Sequence, residues 1–359
     1  MPPQLFSARF ARILPVLALS WLAVVLSGCG GALEVTLVKS DQRRPNNVWV
    51  FFTVERNGEP VGGLQASDFE IYEDERLVSK YESKQVIQNP EVAAVMYTLL
   101  LLDMSGSVTE SGQSDALVDA AEVFTERVGK TQRVGVYAFD GSEKIHPIVA
   151  FTEQEGAVQG GLEGLRTYKP KDPSTNLNGA VVQGLRTLRR ALDRDRRPLK
   201  FGTLVVFSDG TDRAARVTRE ELQKELALPE YENFEIYGIG VGAELEDGEL
   251  GTIGRDGWEL AEEPTKVKEA FEKMAARIEA HTKRFYLLSY CTPSRRGEHT
   301  VRIVANASHG RGALEYKFTA DGFGPPPECD PQRKPTFTLD VPGEKPTAGT
   351  GTTTTAPRP

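Results

Sequence analysis

One stretch of the sequence decides the fold, and it reads Met96-Tyr97-Thr98-Leu99-Leu100-Leu101-Leu102-Asp103-Met104-Ser105-Gly106-Ser107-Val108. Its first half is apolar and short, as expected for a strand that is buried on both faces of a sheet. Oxygen-bearing side chains then follow at alternate positions, namely Asp103, Ser105 and Ser107, and Gly106 lets the backbone turn tightly between the serines. A carboxylate and two hydroxyls at the end of a buried strand are ligands that a small, hard cation prefers.

Two later segments carry side chains of the same kind. Thr175 lies just before a predicted helix, and Asp209 follows the predicted strand Phe201–Ser208. Because ligands of open α/β sheets bind at the carboxyl edge of the strands, we expect all these side chains to meet there. Helix capping is the competing interpretation for each serine- or threonine-containing segment on its own. Asp212 could lie near this site, but an exposed loop carboxylate is the preferred interpretation.

Together the three segments resemble the metal-ion-dependent adhesion site of the von Willebrand factor type A (VWA) family, in the chain order of that family. The resemblance covers residues 96–280 and departs from the family at Pro173-Ser174, where Gly-Gly is usual. It implies one Mg²⁺ (or Mn²⁺ or Ca²⁺) ion held by Asp103, Ser105, Ser107, Thr175 and Asp209, the last through a bound water. It also implies a protein partner that presents an acidic side chain to the ion.

Downstream of Met96 the sequence alternates between strand and helix patterns. Strands are predicted at Met96–Asp103, Arg133–Asp140, Lys144–Phe151, Phe201–Ser208 and Phe234–Val241. Amphipathic helices are predicted at Ser114–Val128, Leu177–Leu192 and Thr265–Ala280. This alternation predicts an α/β fold with a doubly wound, mostly parallel sheet of the VWA, Rossmann-like type.

Strand-rich segments flank this core on both sides. They are Ala32–Ser40 and Val48–Glu55 before it, and Arg284–Cys291, Glu298–Asn306 and Ala313–Ala320 after it. A small sheet is marginal by itself, so we expect both flanks to form one antiparallel β-sandwich into which the core is inserted. The predicted domains are therefore residues 29–95 and 284–330 (the two parts of the sandwich), 96–283 (the VWA domain) and 331–359 (a disordered Pro/Thr-rich tail).

Residues 1–28 have the pattern of a bacterial lipoprotein signal peptide. Arg9 and Arg12 precede the apolar run Ile13–Ser27, and the following Gly28-Cys29 completes a resemblance to the lipobox. This predicts a lipid on Cys29 and export to the cell envelope, where the lipid anchors the protein to a membrane. The residue after the cysteine, a glycine and not an aspartate, favours the outer membrane. An ordinary secretory signal is the alternative.

The composition limits the partners and the cysteine chemistry. The chain has 359 residues and a formal net charge of −8, which argues against nucleic acid and anionic membrane surfaces as partners. Besides Cys29, the chain contains only Cys291 and Cys329. Because disulfides persist in exported proteins, we expect these two to be bridged, with two free thiols as the alternative.

An enzyme is the alternative functional class. Asp103 could act as the nucleophile of a metal-dependent hydrolase or phosphotransferase, but Ser105 stands where a haloacid-dehalogenase-type site needs a second Asp. The chain has neither a Gly-x-Ser-x-Gly elbow around these serines nor a glycine-rich phosphate loop. We therefore expect no catalytic residues and a recognition module that serves adhesion or complex assembly. A structural lipoprotein with a vestigial site is a third possibility.

Overall fold

The structure is a computed structural model that describes residues 32–152, 155–242, 251–308, 310–324, 329–335 and 337. The predicted signal peptide, Cys29 and residues 338–359 of the predicted tail lie outside the described residues. The strands are β1 (Glu34–Arg43), β2 (Asn47–Arg56), β3 (Glu59–Pro60), β4 (Phe69–Glu73), β5 (Arg76–Leu77), β6 (Val86–Gln88), β7 (Ala94–Asp103), β8 (Arg133–Phe139), β9 (His146–Thr152), β10 (Leu199–Ser208), β11 (Phe234–Val241), β12 (Gly257–Ala261), β13 (Phe285–Cys291), β14 (Glu298–Ala307) and β15 (Gly310–Thr319).

Helices occupy most of the chain between these strands in the α/β part. The α-helices are α1 (Lys80–Ser83), α2 (Gly106–Glu110), α3 (Ser114–Val128), α4 (Glu155–Glu163), α5 (Leu177–Asp193), α6 (Arg219–Leu226) and α7 (Val267–Thr282). Short 3₁₀ turns lie at Ala66–Asp68, Pro90–Val92, Gly164–Thr167, Pro229–Tyr231 and Pro264–Lys266. None of the helices in the described part of the chain is both long and apolar enough to cross a membrane.

The central sheet has six strands in the order β12-β11-β10-β7-β8-β9. Neighbouring strands run parallel, except that β9 runs antiparallel to β8. Every residue of β7 is buried, because alternate leucines face two different layers of helices. Leu100 and Leu102 pack on the side of α3 and α7, whereas Leu99 and Leu101 pack on the side of α5 and α6. The predicted doubly wound fold is confirmed.

Four elements of this core do not follow from sequence periodicity. Strand β12 and helix α2 have 5 residues each, too few to show a repeat. Helix α4 contains three glycines, which lower helix propensity, and α6 buries only Leu222 and Leu226. Strand β9 begins at His146, later than the predicted Lys144, and is the antiparallel edge strand.

Two antiparallel sheets are built jointly by the two flanks. In the first, ordered β1-β2-β13-β6, strand β13 from the later flank lies between β2 and β6 from the earlier flank. In the second, ordered β15-β14-β4-β5, strand β4 of the earlier flank pairs with β14. Val50 and Phe52 of one sheet share a core with Ile303 and Tyr316 of the other. The expected antiparallel sandwich beside the α/β core is therefore confirmed.

The sandwich meets the α/β core through the outer face of the first antiparallel sheet. The Phe51 ring lies 6.0 Å from Phe201 at the start of β10, and Phe201 lies 4.6 Å from Phe285. Beside these rings, the guanidinium of Arg284 contacts Glu55 of β2 at 2.6 Å and Glu235 of β11 at 2.8 Å. Aromatic packing and a shared arginine thus hold the two parts together.

The segment after the sandwich is ordered where the structure describes it. The disulfide Cys291–Cys329 is present, with a Cα–Cα distance of 5.9 Å. Beyond it, the Arg333 carbonyl accepts the Trp49 indole N–H at 2.8 Å, and Phe337 is buried against the junction between sandwich and core. We call residues 329–337 the strap. The prediction of disorder from Pro331 onwards is wrong for the described residues of the strap.

Candidate metal site

Asp103 is the last residue of β7, and its side chain is fully buried. Its Oδ1 accepts the backbone N–H of Ser105 at 3.0 Å, and its Oδ2 accepts the hydroxyl of Ser208 at 2.6 Å. Ser208 comes beside Asp103 because Leu102 and Phe207 are register partners in the parallel pair β7 and β10. The pairing of these two strands therefore orients the carboxylate.

The two serines of the first loop contact each other, and the second of them contacts Asp209. Ser105 is the N-cap residue of α2, yet its side chain makes no capping hydrogen bond. Its Oγ lies 3.1 Å from the Oγ of Ser107, and the Ser107 hydroxyl donates to Oδ1 of Asp209 at 2.9 Å. The capping interpretation therefore does not account for the Ser105 side chain, which faces the neighbouring hydroxyl.

Thr175 is buried in the loop that precedes α5. Its carbonyl accepts the N–H of Ala214, which belongs to the loop after β10, at 2.9 Å. Two residues earlier, the Pro173 carbonyl accepts the N–H of Gly106 at 2.9 Å. The Thr175 loop is thus bonded to both of the loops that carry the other four predicted site residues, at one edge of the sheet.

Two further polar side chains lie at this edge and were not predicted as site residues. Ser208 stands directly before the Asp-Gly pair, and its position at a strand end beside Asp103 was the available signal. Asp140 follows β8, where it is fully buried and accepts the backbone N–H groups of Ser142 at 2.7 Å and Lys171 at 2.8 Å. Burial alone would raise the pKa of Asp140, but these hydrogen bonds hold it below the usual value.

The sequence interpretation of Asp212 as an exposed loop carboxylate is wrong. Asp212 is half-buried at the start of α5, where its Oδ1 accepts the backbone N–H of Leu177 at 3.1 Å. Its Oδ2 accepts the side-chain N–H of Asn178 at 2.8 Å. The N-cap residue, Asn176, makes no side-chain capping bond, so Asp212 supplies an acceptor for the helix from another loop.

Residues 98–211, which include both ends of this site, match the family described as von Willebrand factor type A domain. Residues 98–211 are therefore identified as a von Willebrand factor type A domain. Its strand order and the helices on both faces of the sheet, as described above, belong to that fold. No curated protein matches the chain.

Several solved structures resemble this chain at low identity. A von Willebrand factor type A protein from Catenulispora acidiphila is 14% identical, over 81% of this chain and 74% of that one, with a TM-score of 0.44. Proximal thread matrix protein 1 from the mussel byssus, with a zinc-occupied MIDAS motif, is 16% identical over 52% and 48%, with a TM-score of 0.42. The pilus adhesin SpaC from Lactobacillus rhamnosus GG is 10% identical over 79% and 47%, also at 0.42. The chain thus covers under half the length of the last two.

Burial raises the pKa of Asp103 in the VWA domain to about 7. The hydroxyls of Ser208 and Ser105 lower the pKa, whereas the negative charge of Asp209 raises it further. A buried carboxylate beside a second carboxylate is short of positive charge, and a bound cation would supply it.

The donor set of this VWA domain fits a small divalent cation. The oxygen-to-oxygen distances of 3.1 and 2.9 Å along Ser105, Ser107 and Asp209 match the spacing of neighbouring ligands around Mg²⁺, about 3 Å for bonds of about 2.1 Å. Within the described ranges, no group of three or more His, Cys, Asp or Glu side chains is placed to hold a metal. A site at this edge therefore depends on hydroxyl ligands, which suit Mg²⁺ better than softer ions.

Metal binding by this VWA domain should weaken as the pH falls. The proton competes with the cation for Asp103, whose pKa in the metal-free protein is about 7. Between pH 8 and pH 6 the deprotonated fraction falls about tenfold, so we expect the Kd for Mg²⁺ to rise about tenfold. Calorimetric titrations at both pH values test this expectation, and an unchanged Kd would contradict it.

Proposed function

We propose that this VWA domain binds a protein partner through a divalent cation held by Asp103, Ser105, Ser107, Thr175 and Asp209. The observation that carries the proposal is the contact chain from Ser105 through Ser107 to Asp209, beside the buried carboxylate of Asp103. Ser107 is exposed to solvent, so a cation held there would be accessible to a partner. Mg²⁺ is the preferred ion, with Mn²⁺ and Ca²⁺ as substitutes.

An acidic side chain on the partner is the group that such a site would bind best. Three of the five proposed ligands are neutral hydroxyls, and Asp209 is proposed to act through water. A cation held in this way keeps affinity for an incoming carboxylate, because hard cations prefer oxygen ligands that carry charge. The proposed role is therefore adhesion or the assembly of a complex.

The burial of Asp103 favours recognition over the alternative enzyme. A nucleophilic carboxylate oxygen needs an open approach for a whole substrate, but both Asp103 oxygens accept hydrogen bonds, from Ser105 and Ser208. A small cation needs less room, because a carboxylate oxygen has two lone pairs and can bind the ion with one while it accepts a hydrogen bond with the other. The side chain is also closed off from solvent. A hydrolase or phosphotransferase that uses Asp103 would first have to open these contacts.

We also propose that the protein is a lipoprotein of the cell envelope. A signal peptide at residues 1–28 and a lipid on Cys29 would anchor it, with the outer membrane as the favoured location. The proposed domains are those predicted above: a sandwich of residues 29–95 and 284–330, and a VWA domain of residues 96–283. Mass spectrometry of the mature protein tests the lipid, because diacylation of Cys29 adds a mass that Cys29→Ser abolishes.

The metal-dependent function is tested by titrating the full chain, purified in detergent, with Mg²⁺. We expect binding by the wild type and loss of at least tenfold in affinity for Ser107→Ala, whose hydroxyl contacts Asp209. The matched control is Ser111→Ala, because Ser111 ends the same helix and bonds only to the Val108 carbonyl in the described structure.

Capture of partners from envelope extracts, with Mg²⁺ or with EDTA, then tests recognition. Partners should be retained by the wild type and by Ser111→Ala in Mg²⁺, and released by EDTA. If the wild type binds no divalent cation at any pH from 6 to 8, the proposed function is wrong.

A further inference from the structure

The loop that carries Thr175 is held in place by an arginine from a different loop. Arg216 donates from Nε to the Gly141 carbonyl at 2.6 Å and from Nη2 to Oδ2 of Asp172 at 3.0 Å. Gly141 belongs to the loop after β8, Asp172 to the loop before α5, and Arg216 to the loop after β10. We infer that Arg216 is a positioning residue for the metal site, an inference that rests on the proposed function.

Asp172 transmits this contact to the next residues of the loop. Its Oδ1 accepts both the N–H of Ser174 at 3.0 Å and the Ser174 hydroxyl at 2.7 Å. Its carbonyl accepts the N–H of Gly141 at 3.0 Å. With one carboxylate oxygen bonded to Ser174 and the other to Arg216, the direction in which the chain enters Thr175 is fixed.

The loops are packed so closely that little adjustment is available. A Cβ added at Gly141 would overlap the side chains of Ser174 and Asp172. A Cβ added at Gly106 would lie 3.0 Å from the Pro173 side chain and 3.2 Å from its carbonyl oxygen. A small shift of the Asp172 loop would therefore displace both the loop that contains Gly106 and the loop after β8.

The backbone beside Arg216 is itself in a sparsely populated conformation. Ala215 has a φ of 47°, in the left-handed region that residues with a Cβ seldom adopt. Such conformations persist where surrounding contacts determine them. Two neighbouring contacts do so here: the N–H of Ala214 is bonded to the Thr175 carbonyl, and Arg216 is bonded to Gly141 and Asp172.

This arrangement compensates for the absence of glycine before Thr175. The residues there are Pro173 and Ser174, and Pro restricts the backbone. A glycine pair could adopt the required turn without help, whereas this loop gains its turn from Asp172, which Arg216 orients. Arg216 thereby takes the place of local flexibility as the feature that fixes the loop that carries Thr175.

The sign of the charge effect separates positioning from simple electrostatics. Arg216→Gln removes a positive charge close to a cation site, so electrostatics alone would strengthen Mg²⁺ binding. Positioning predicts the opposite result: loss of an outer contact to a ligand loop costs about 10- to 100-fold in metal affinity. The matched control is Arg219→Gln, which removes the same charge three residues away, where the guanidinium contacts Thr252.

The experiment measures the Kd for Mg²⁺ on the full chain in detergent, for the wild type and three variants. We expect the Kd of Arg216→Gln to rise at least tenfold and that of Arg219→Gln to change less than twofold. Arg216→Lys should recover part of the loss, because a lysine keeps the charge but lacks the planar fork that reaches two acceptors. Thermal unfolding in EDTA should leave all variants within a few degrees of the wild type, as the side chain is exposed.

The outcomes are distinguishable. Unchanged or tighter binding by Arg216→Gln overturns the inference and leaves the proposed function standing. Equal loss of affinity in Arg216→Gln and Arg219→Gln shows that the effect does not depend on the contacts with Gly141 and Asp172, and it also overturns the inference. A wild type that binds no Mg²⁺ overturns both the proposed function and the inference.

Discussion

Asp103→Asn is expected to abolish Mg²⁺ binding and, at the same time, to stabilise the metal-free protein at pH 8. In the metal-free wild type, the pKa of Asp103 is raised from 3.8 to about 7. A raised pKa means that folding favours the protonated form, so stability increases as the pH falls from 8 towards 4. Asn is neutral at every pH, so the variant lacks the penalty of a buried charge. The gain at pH 8 has an upper limit of about 4 kcal/mol, from about 1.4 kcal/mol for each pKa unit.

Urea unfolding in EDTA at pH 8 and pH 5 measures this effect. The free energy of unfolding of the wild type should rise from pH 8 to pH 5. It should rise by more than that of Asp103→Asn. Asp195→Asn is a control of opposite sign, because the hydrogen bond and charge of Arg197 lower the pKa of Asp195 to about 2. Its carboxylate adds stability above pH 4 that is lost as the pH falls, so this variant should be less stable than the wild type at pH 8. An Asp103→Asn protein that is less stable at pH 8 would contradict the expectation.

Removal of the disulfide is expected to lower the free energy of unfolding by about 4 kcal/mol. Cys291 and Cys329 are 38 residues apart in sequence, and closing a loop of this length contributes about 4 kcal/mol in the chain-entropy model. We therefore expect the unfolding free energy of the variant with serine at both positions to fall by about that amount. The emission of Trp49 should shift to the red, because its indole N–H is bonded to the strap at Arg333.

Phe337→Ala separates the two ends of the strap. This variant keeps the disulfide and loses only the ring that is buried at the junction, so we expect a smaller loss, about 3 kcal/mol. Unchanged stability of the double serine variant would mean that the strap stays docked without its covalent link.

The fold could be predicted because the core strands and helices have strong periods. Strand β7 is buried over its whole length, and an unbroken apolar run predicts such a strand. The sandwich could be predicted because each flank had an apolar face that needed a partner. Beyond its predicted disulfide, the docking of the strap could not be predicted, since many of its contacts use its own carbonyl groups. Those of Asp330 and Arg333 accept side-chain N–H groups from Asn47 and Trp49, and any sequence has carbonyls.

At the candidate site, the residues at strand ends could be predicted from the sequence, but the contacts between loops could not. The set of five metal ligands stays a prediction. Asp103 and Asp209 stand at the ends of strands, and strand ends follow from the apolar pattern. Ser208 and Arg216 act through hydrogen bonds to side chains and carbonyls in other loops. Such contacts depend on loop conformation, for which a single sequence carries no periodic signal.

The position of β13 between β2 and β6 has a consequence for the order in which the chain folds. The α/β core is contiguous in sequence and can form as soon as its own residues are available. The sandwich cannot form this early, because β1 and β2 pack with strands that are synthesised after the whole core. Until then, the edge of β2 that pairs with β13 is open and the apolar side of β2 lacks its partners, and an open strand edge of this kind invites aggregation and proteolysis. A chain that is cut short before β13 therefore keeps this edge of β2 exposed, so that incomplete copies are prone to aggregation and proteolysis through their amino-terminal strands.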